Sequence, residues 1–429
     1  MHYVKVKGKL FSLSMEILPF IKKIFSLTES GSTFVTMKKI LFSFLTLLVA
    51  VYQISAQDNL VNSLKANQSD SAKAKFKFTS VIDLENSPVK SQGSSGTCWS
   101  YSGNSFIESE MMQSGRPFVD ISEIYTARCA YIERAKNYVR MHGNIGWGDG
   151  AELHDVIAIY KKYGAVPYEV YSGLNYGTSK NKFGEMQAAL EGMLKGIVEN
   201  KNGKLTKNWL PAFTAALDAY LGKVPETFKY KGKEYTPITF ANEVVGIEPD
   251  KYVELSSYTY APYYEQTLMM VPDNWSLQSV YNVPFSNMTE IVDHALKNGH
   301  TVAWATDVSE KYFSWKNGVA IVPEKEYEDM ETDEQKKMFD GPQDERTITA
   351  EVREDAFDNY STTDDHGMHI VGLATDQNSK EYYMVKNSWG DKNDYKGYLY
   401  VSKAFFNYKT TAILVHEAGI PGNILRKLK

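Results

Sequence analysis

Residues 92–102 (Q-G-S-S-G-T-C-W-S-Y-S) constrain this chain more than any other stretch, because a Gly/Ser-rich turn runs there without a break into a helix. Residues 104–112 (N-S-F-I-E-S-E-M-M) hold no proline and space Phe106, Ile107, Met111 and Met112 for one buried face. Cys98 therefore falls at or near the first turn. Unpaired backbone N–H groups and the helix macrodipole favour a thiolate there, and a nearby imidazolium would favour it further. Gln92 lies six positions upstream. Its amide can donate an N–H, beside the backbone N–H of Cys98, to an oxyanion formed when that sulfur attacks a carbonyl. The competing reading is that a lone cysteine is a small buried hydrophobe. The glycines before Cys98 and the helix after it favour the nucleophile.

With 429 residues and 43% hydrophobic content, the chain can bury one large or two ordinary cores. A net charge of −5 and a pI near 6.0 give no general attraction to nucleic acid or anionic membranes. Two cysteines, Cys98 and Cys129, are too few for a disulfide framework and too far apart for a metal-ligand pair. Cys129 reads as a structural helix residue.

Near the start, Met37-Lys38-Lys39 precedes a 13-residue apolar run over 40–52 and a small-residue end at Ser55 and Ala56. That pattern predicts a secretory signal over 37–56, cleaved after Ala56, with export and no stable membrane anchor afterwards. Residues 1–36 read as a non-native extension ahead of a start at Met37. Residues 57–77 are polar and read as a flexible arm, and 78–83 as an extended entry to the folded domain.

Helices are expected from a capped start within residues 120–123 through Val139, and from Glu152 to a stop at Gly164. Between them, residues 142–150 carry four glycines. Residues 176–255 change texture, with amphipathic helices over 182–199 and 209–221 and no catalytic constellation, so they read as an insertion. The last third reads as a helix over 286–298 and strands over 300–307, 366–373, 381–387, 397–401 and 411–416. The charge-dense stretch 324–351 reads as a solvated excursion. No repeat, P-loop or dinucleotide fingerprint is present.

A thiol nucleophile needs an imidazole within reach, held by a third group. Among eight histidines, His366 stands at the mouth of a strand where a side chain can face a cleft. His369, at opposite parity, should face the other side of the sheet. Asn387 (V-K-N-S-W-G) can fix the imidazole through a neutral amide oxygen, and Trp389 can shield that contact from water. Read blandly, N-S-W-G is a turn after a strand.

Together, residues 92–102, D-H-G-M-H-I-V-G and V-K-N-S-W-G resemble the three catalytic blocks of papain-superfamily cysteine peptidases, in that family's order. The resemblance implies Cys98 as nucleophile, His366 as general acid/base, Asn387 as orienter and Gln92 as oxyanion donor. His366, six positions before Gly372, fits the family pattern and His369 does not. The interval of 268 positions (366 − 98) and the blocks over 148–167, 239–247 and 387–392 resemble the bleomycin-hydrolase and bacterial aminopeptidase C branch. The resemblance spans about 78–418 and implies an α+β, papain-like two-lobed fold: a helical lobe, a β-barrel lobe and a largely helical insertion. Gly148, Asp149, Gly150 and Trp389 would then line the substrate side, with peptides as partners, no cofactor or metal, and a possible homo-oligomer. In that branch the C-terminal tail occupies the cleft and its carboxylate holds the substrate amine. Here the tail ends Arg426-Lys427-Leu428-Lys429, and basic groups beside the carboxylate would weaken that hold. An aminopeptidase is the leading expectation; an endopeptidase or small-amide hydrolase with an open cleft, or a silent binding protein, are the alternatives.

Overall fold

A computed structural model describes residues 76–201 and 203–428. The extension 1–36, the signal segment 37–56 and residues 57–75 of the arm lie outside the described residues. The arm ends earlier than expected: Phe76 is already buried and stacks on Phe78 at 5.6 Å.

In chain order, β1 (Thr79–Asp83) precedes three helices, α1 (Cys98–Gln113), α2 (Glu123–Arg140) and α3 (Leu153–Tyr163). Ser122 caps α2 by accepting from the Tyr125 N–H, and Glu152 forms a capping box with Asp155 at the start of α3. Next come α4 (Gly184–Val198), α5 (Trp209–Leu221), a hairpin of β2 (Phe228–Tyr230) and β3 (Lys233–Tyr235), and α6 (Pro237–Phe240). A π-helical turn, Ala241–Val245, continues α6. The insertion does not form a separate body. Leu190, Leu194, Phe213, Leu217, Phe240 and Val245 join Trp99, Ile107 and Met111 in one core.

The second lobe is an 11-stranded sheet. Its central strands are β7 (Val302–Thr306), β10 (His366–Thr375), β11 (Glu381–Lys386), β12 (Tyr398–Ser402) and β13 (Thr410–His416). Strand β4 (Tyr252–Ser256) pairs with β13, while β5 (Gln266–Leu268) and β6 (Ser279–Asn282) extend that edge. Strands β8 (Phe313–Ser314) and β9 (Val319–Ala320) finish the other edge, and β1 pairs with β10.

Alternation along the strands separates the two faces. Val302 and Trp304 pack with α7 (Phe285–Lys297), whereas Ala303 and Ala305 pack with Phe106 of α1. The small alanines let α1 lie close to the sheet. Helix α1 was expected to bury one face; in fact all of Cys98–Met112 is buried. It lies between the lobes, and its polar side chains are tolerated because they are bonded. Asn104 donates to Ser100 O and Thr126 Oγ1, Ser105 Oγ meets His369 Nδ1 at 2.8 Å, and Glu108 accepts from the Ile121 N–H.

Residues 324–351 are largely exposed, and include α8 (Thr332–Lys337) and the start of α9 (Ala350–Asp358), but Met338 and Ile348 anchor them in the core. After α10 (Lys403–Lys409) and β13, the tail turns onto α7 and closes with α11 (Gly422–Leu425). His294 Nδ1 meets Gly419 O at 2.9 Å, and Ile420 and Ile424 enter the core that holds Ile291 and Ala295. Among the described residues no helix is long and apolar enough to cross a membrane.

Candidate active site

The site forms where the start of α1 meets the start of β10. Gly367 explains the close approach: an added Cβ would lie 3.2 Å from the Trp99 Cα and 2.8 Å from Ser102 Oγ. A glycine at 367 therefore lets the first turn of α1 rest on the strand. Cys98 and His366, each 4% exposed, line the same small cavity together with Gly150, Glu152, Asp273, Asp364 and Asp365.

His366 Nε2 lies 2.8 Å from Asn387 Oδ1. With Nε2 bonded to a carbonyl-type oxygen it carries the proton in the neutral ring, and Nδ1 is the nitrogen left to exchange a proton with the cavity. Asn387 is itself held, since its Oδ1 also accepts from the Ser388 N–H at 2.6 Å. Trp389, expected on the substrate side, is 4% exposed and packs on the imidazole at 4.7 Å between centroids. Trp315 stands edge-on behind it at 5.3 Å. Its place is that of a cover over the His366–Asn387 bond, because the aromatic cluster draws the indole into the β-lobe core. His369 lies on the opposite sheet face, bonded to Ser105, and burial holds its pKa well below the ordinary value.

Gln92 is 1% exposed and clamped on both sides. Its Oε1 accepts from Ser388 Oγ at 2.6 Å, and its Nε2 donates to Ser95 O at 2.7 Å, which uses one of the two amide N–H groups. The expected glycine loop divides. Gly150 lines the cavity, whereas Asp149 braces the loop: its Oδ2 accepts from the Gly96 N–H at 2.9 Å and its carbonyl accepts from Trp99 Nε1 at 2.9 Å. Gly148 sits near Arg134 and is not among the cavity residues. Asp149, too, is not among the cavity residues, and the Arg134 guanidinium pins the loop through Gly146 O and Gly150 O.

The electrostatics also depart from expectation. Burial pushes the Cys98 thiol up to about 12, and the Asp273 and Asp364 carboxylates push the same way. The backbone N–H groups of Gly367 and Trp99 pull it down only in part. In this enclosed state the sulfur holds its proton, so His366 has to remove it as the sulfur attacks. Cys129 is likewise buried, and desolvation lifts its thiol to about 12, in keeping with a structural role.

Three features were missed by sequence reasoning. The acidic set at the cavity draws on positions from 152 to 365, so no local spacing announces it. The resemblance implied a tail in the cleft; to Leu428 the tail packs on the α7 face, and among the described residues none beyond Gly367 lines the Cys98 cavity. Glu110, His300 and His416 also converge, with ligating atoms within 4.8 Å of one another and His300 Nδ1 at 3.0 Å from Glu110 Oε2. This is the one grouping with metal-ligand geometry among the described residues; it lies three turns along α1 from Cys98 and has no part in the cleft.

A family-level comparison matches residues 136–429 to the Peptidase C1-like family. The chain belongs to that family. It is a papain-like cysteine-type peptidase, with the matched stretch carrying His366 and Asn387 and the α1 start bringing Cys98 to them. Aminopeptidase G of Lactobacillus delbrueckii subsp. lactis is 23% identical over 379 residues, covering 79% of this chain and 83% of that protein. Bleomycin hydrolase of Mus musculus is 24% identical over 407 residues, covering 83% and 86%. The crystal structure of PepW from Lactobacillus rhamnosis superposes with a TM-score of 0.64 at 18% identity, covering 94% of this chain and 95% of that one. That likeness establishes the α+β papain-like fold.

Proposed function

We propose that this peptidase is an exported aminopeptidase working through Cys98, His366, Asn387 and Gln92. The observation that carries the assignment is the 2.8 Å bond from His366 Nε2 to Asn387 Oδ1 beside a cysteine in the same cavity. In the first step the Cys98 sulfur bonds to the scissile carbonyl carbon while His366 takes the thiol proton. The carbonyl oxygen becomes an oxyanion, held by the Cys98 N–H and the remaining N–H of Gln92. Collapse breaks the C–N bond, and His366 returns the proton to the leaving amine. Water, deprotonated by His366, then attacks the thioester, the C–S bond breaks, and the acid product leaves with the thiol restored.

Removal of N-terminal residues is supported by the aminopeptidase names of several relatives and by an acid-rich cavity next to the nucleophile. An endopeptidase is the second reading, favoured by a tail that stays out of the cleft. A matched fluorogenic pair, one with a free α-amine and one N-acetylated, separates them. Residues 57–429 should cleave the free-amine substrate alone, and alkylation or Cys98→Ala should abolish turnover, by at least about 10³-fold, with the melting temperature retained. Equal cleavage of the blocked substrate would establish the endopeptidase, and turnover by the Cys98→Ala protein would sink both readings. Export rests on residues 37–56; N-terminal sequencing of the protein from the producing cell should begin at Gln57, and a retained Met37 would reject it.

A further inference from the structure

We propose that the Asp273 carboxylate, at the Gly150 end of the Cys98 cavity and backed by Glu152 and Asp364, anchors the α-ammonium of the substrate. The inference rests on the aminopeptidase reading above and says which residues impose it.

Position is the first argument. A Cβ added at Gly150 would overlap the Asp273 carboxylate, so that carboxylate occupies the space beside the Gly150 backbone. An extended peptide that pairs with Gly150 on its way to Cys98 meets Asp273 at that point. A chain ending there in an ammonium is matched, and a longer or acylated one is obstructed. The loop bearing Asp273 is braced in place. Asn274 Nδ2 donates to Met269 O at 2.9 Å and Gln278 O at 2.8 Å, Trp275 is buried in the helical-lobe core, and Ser276 Oγ meets His154 Nε2 at 3.2 Å.

Charge is the second. Around the cavity stand Glu152, Asp273, Asp364 and Asp365, with Asp155 and Glu254 behind them. The facing cations are Arg134 and His154. His154 is committed to Glu254, and Arg134 stands 3.8 Å from Asp273 with N–H groups donating to Gly146 O and Gly150 O. Six carboxyl groups thus face two cations. Burial raises the pKa of Asp273, holds Asp364 up to about 6, and lifts Glu152 well above the ordinary range.

A shared proton points the same way. Glu152 is 1% exposed, and its carboxyl bonds to that of Asp364, so this buried pair holds a proton where a cation would otherwise be needed. An ammonium brings three donors and the missing positive charge.

The experiment measures kcat/KM for the free-amine and N-acetylated substrates with wild type, Asp273→Asn, Asp273→Glu and Glu152→Gln, with a melting temperature for each. Asp273→Asn should lower kcat/KM for the free amine roughly 30-fold, chiefly through KM, as expected for loss of a charge-assisted bond. Cleavage of the blocked substrate should stay unchanged or rise, and Asp273→Glu should restore part of the preference. Glu152→Gln should give a smaller loss of the same kind. A wild type that cleaves both substrates alike defeats the aminopeptidase reading and this anchor with it. A wild type that discriminates, beside a folded Asp273→Asn protein that discriminates equally well, leaves that reading standing and removes Asp273 as the anchor.

Discussion

Two buried clusters of charge flank α1, and they are built on opposite plans. Behind the helix, Lys90 Nζ reaches Asp120 at 2.5 Å, Glu123 at 2.6 Å and Glu108 at 3.6 Å, while Lys386 Nζ donates to Ser87 O and Oγ. Three acids thus meet two cations, and Glu108 accepts from the Ile121 N–H as well. In front, at the cleft, six acids meet two cations. The rear cluster shares Lys90 among its three acids, with one Glu123 oxygen left without a donor among the described residues, and ties the entry segment to α1, α2 and β11. The cleft cluster stays short of positive charge beside the nucleophile. Burial of charge alone does not separate a structural site from a binding one; the difference lies in what remains uncompensated.

Removing one charge from each cluster should have opposite effects on stability. Lys90→Met leaves Glu108 and Glu123, 1% and 2% exposed, without their shared cation. It should cost about 3–5 kcal/mol of stability in urea unfolding. Glu152→Gln removes a carboxylate from a set that already has too many, so its stability should hold or rise. Loss of stability in Glu152→Gln as large as in Lys90→Met would mean that the two clusters are of one kind.

A smaller effect tests the support of the imidazole. Asn387→Ala removes the acceptor from His366 Nε2 but leaves the Trp389 cover and the acid set in place. The expected result is a fall in kcat of about 10²-fold, within the range assigned to general acid–base catalysis, with KM for the free-amine substrate nearly unchanged. A change confined to KM would place Asn387 in substrate binding and blur the line between the catalytic pair and the anchor.

What was legible in the sequence follows the same division between local and assembled features. The Cys98 turn-to-helix, the capped helix start within residues 120–123 and the strand mouth at His366 depend on neighbours in the chain, and the structure has each of these elements where the pattern puts it. The opposite facing of His366 and His369 follows from strand parity. Full burial of α1 was not legible, because its serines and glutamates read as a solvent face until Ile121, Lys90 and His369 supply their partners. The short strands β4, β5 and β6 were missed, since three to five residues with mixed burial carry little period. Asp273 was invisible for a related reason: it lies on the loop between two of those strands, and only the fold carries it to Gly150.

The least conspicuous consequence is in the pH dependence of stability. Asp364 is held up to about 6 from an ordinary value of 3.8, first by burial and then by the Asp273 and Glu254 charges. The folded state therefore keeps a proton that the unfolded chain has lost, so the unfolded state binds fewer protons between those values. Stability from this group is present in full below its unfolded pKa and is lost as pH rises through the folded one. Asp364→Asn removes that titration. Between pH 4 and 6, its melting temperature should fall less with rising pH than that of wild type, by a few degrees over the window. A saturating free-amine ligand should flatten the wild-type curve in the same direction, because its ammonium replaces the proton shared in the cleft. Parallel curves for wild type and Asp364→Asn would mean that the cleft acids are as well compensated as those around Lys90.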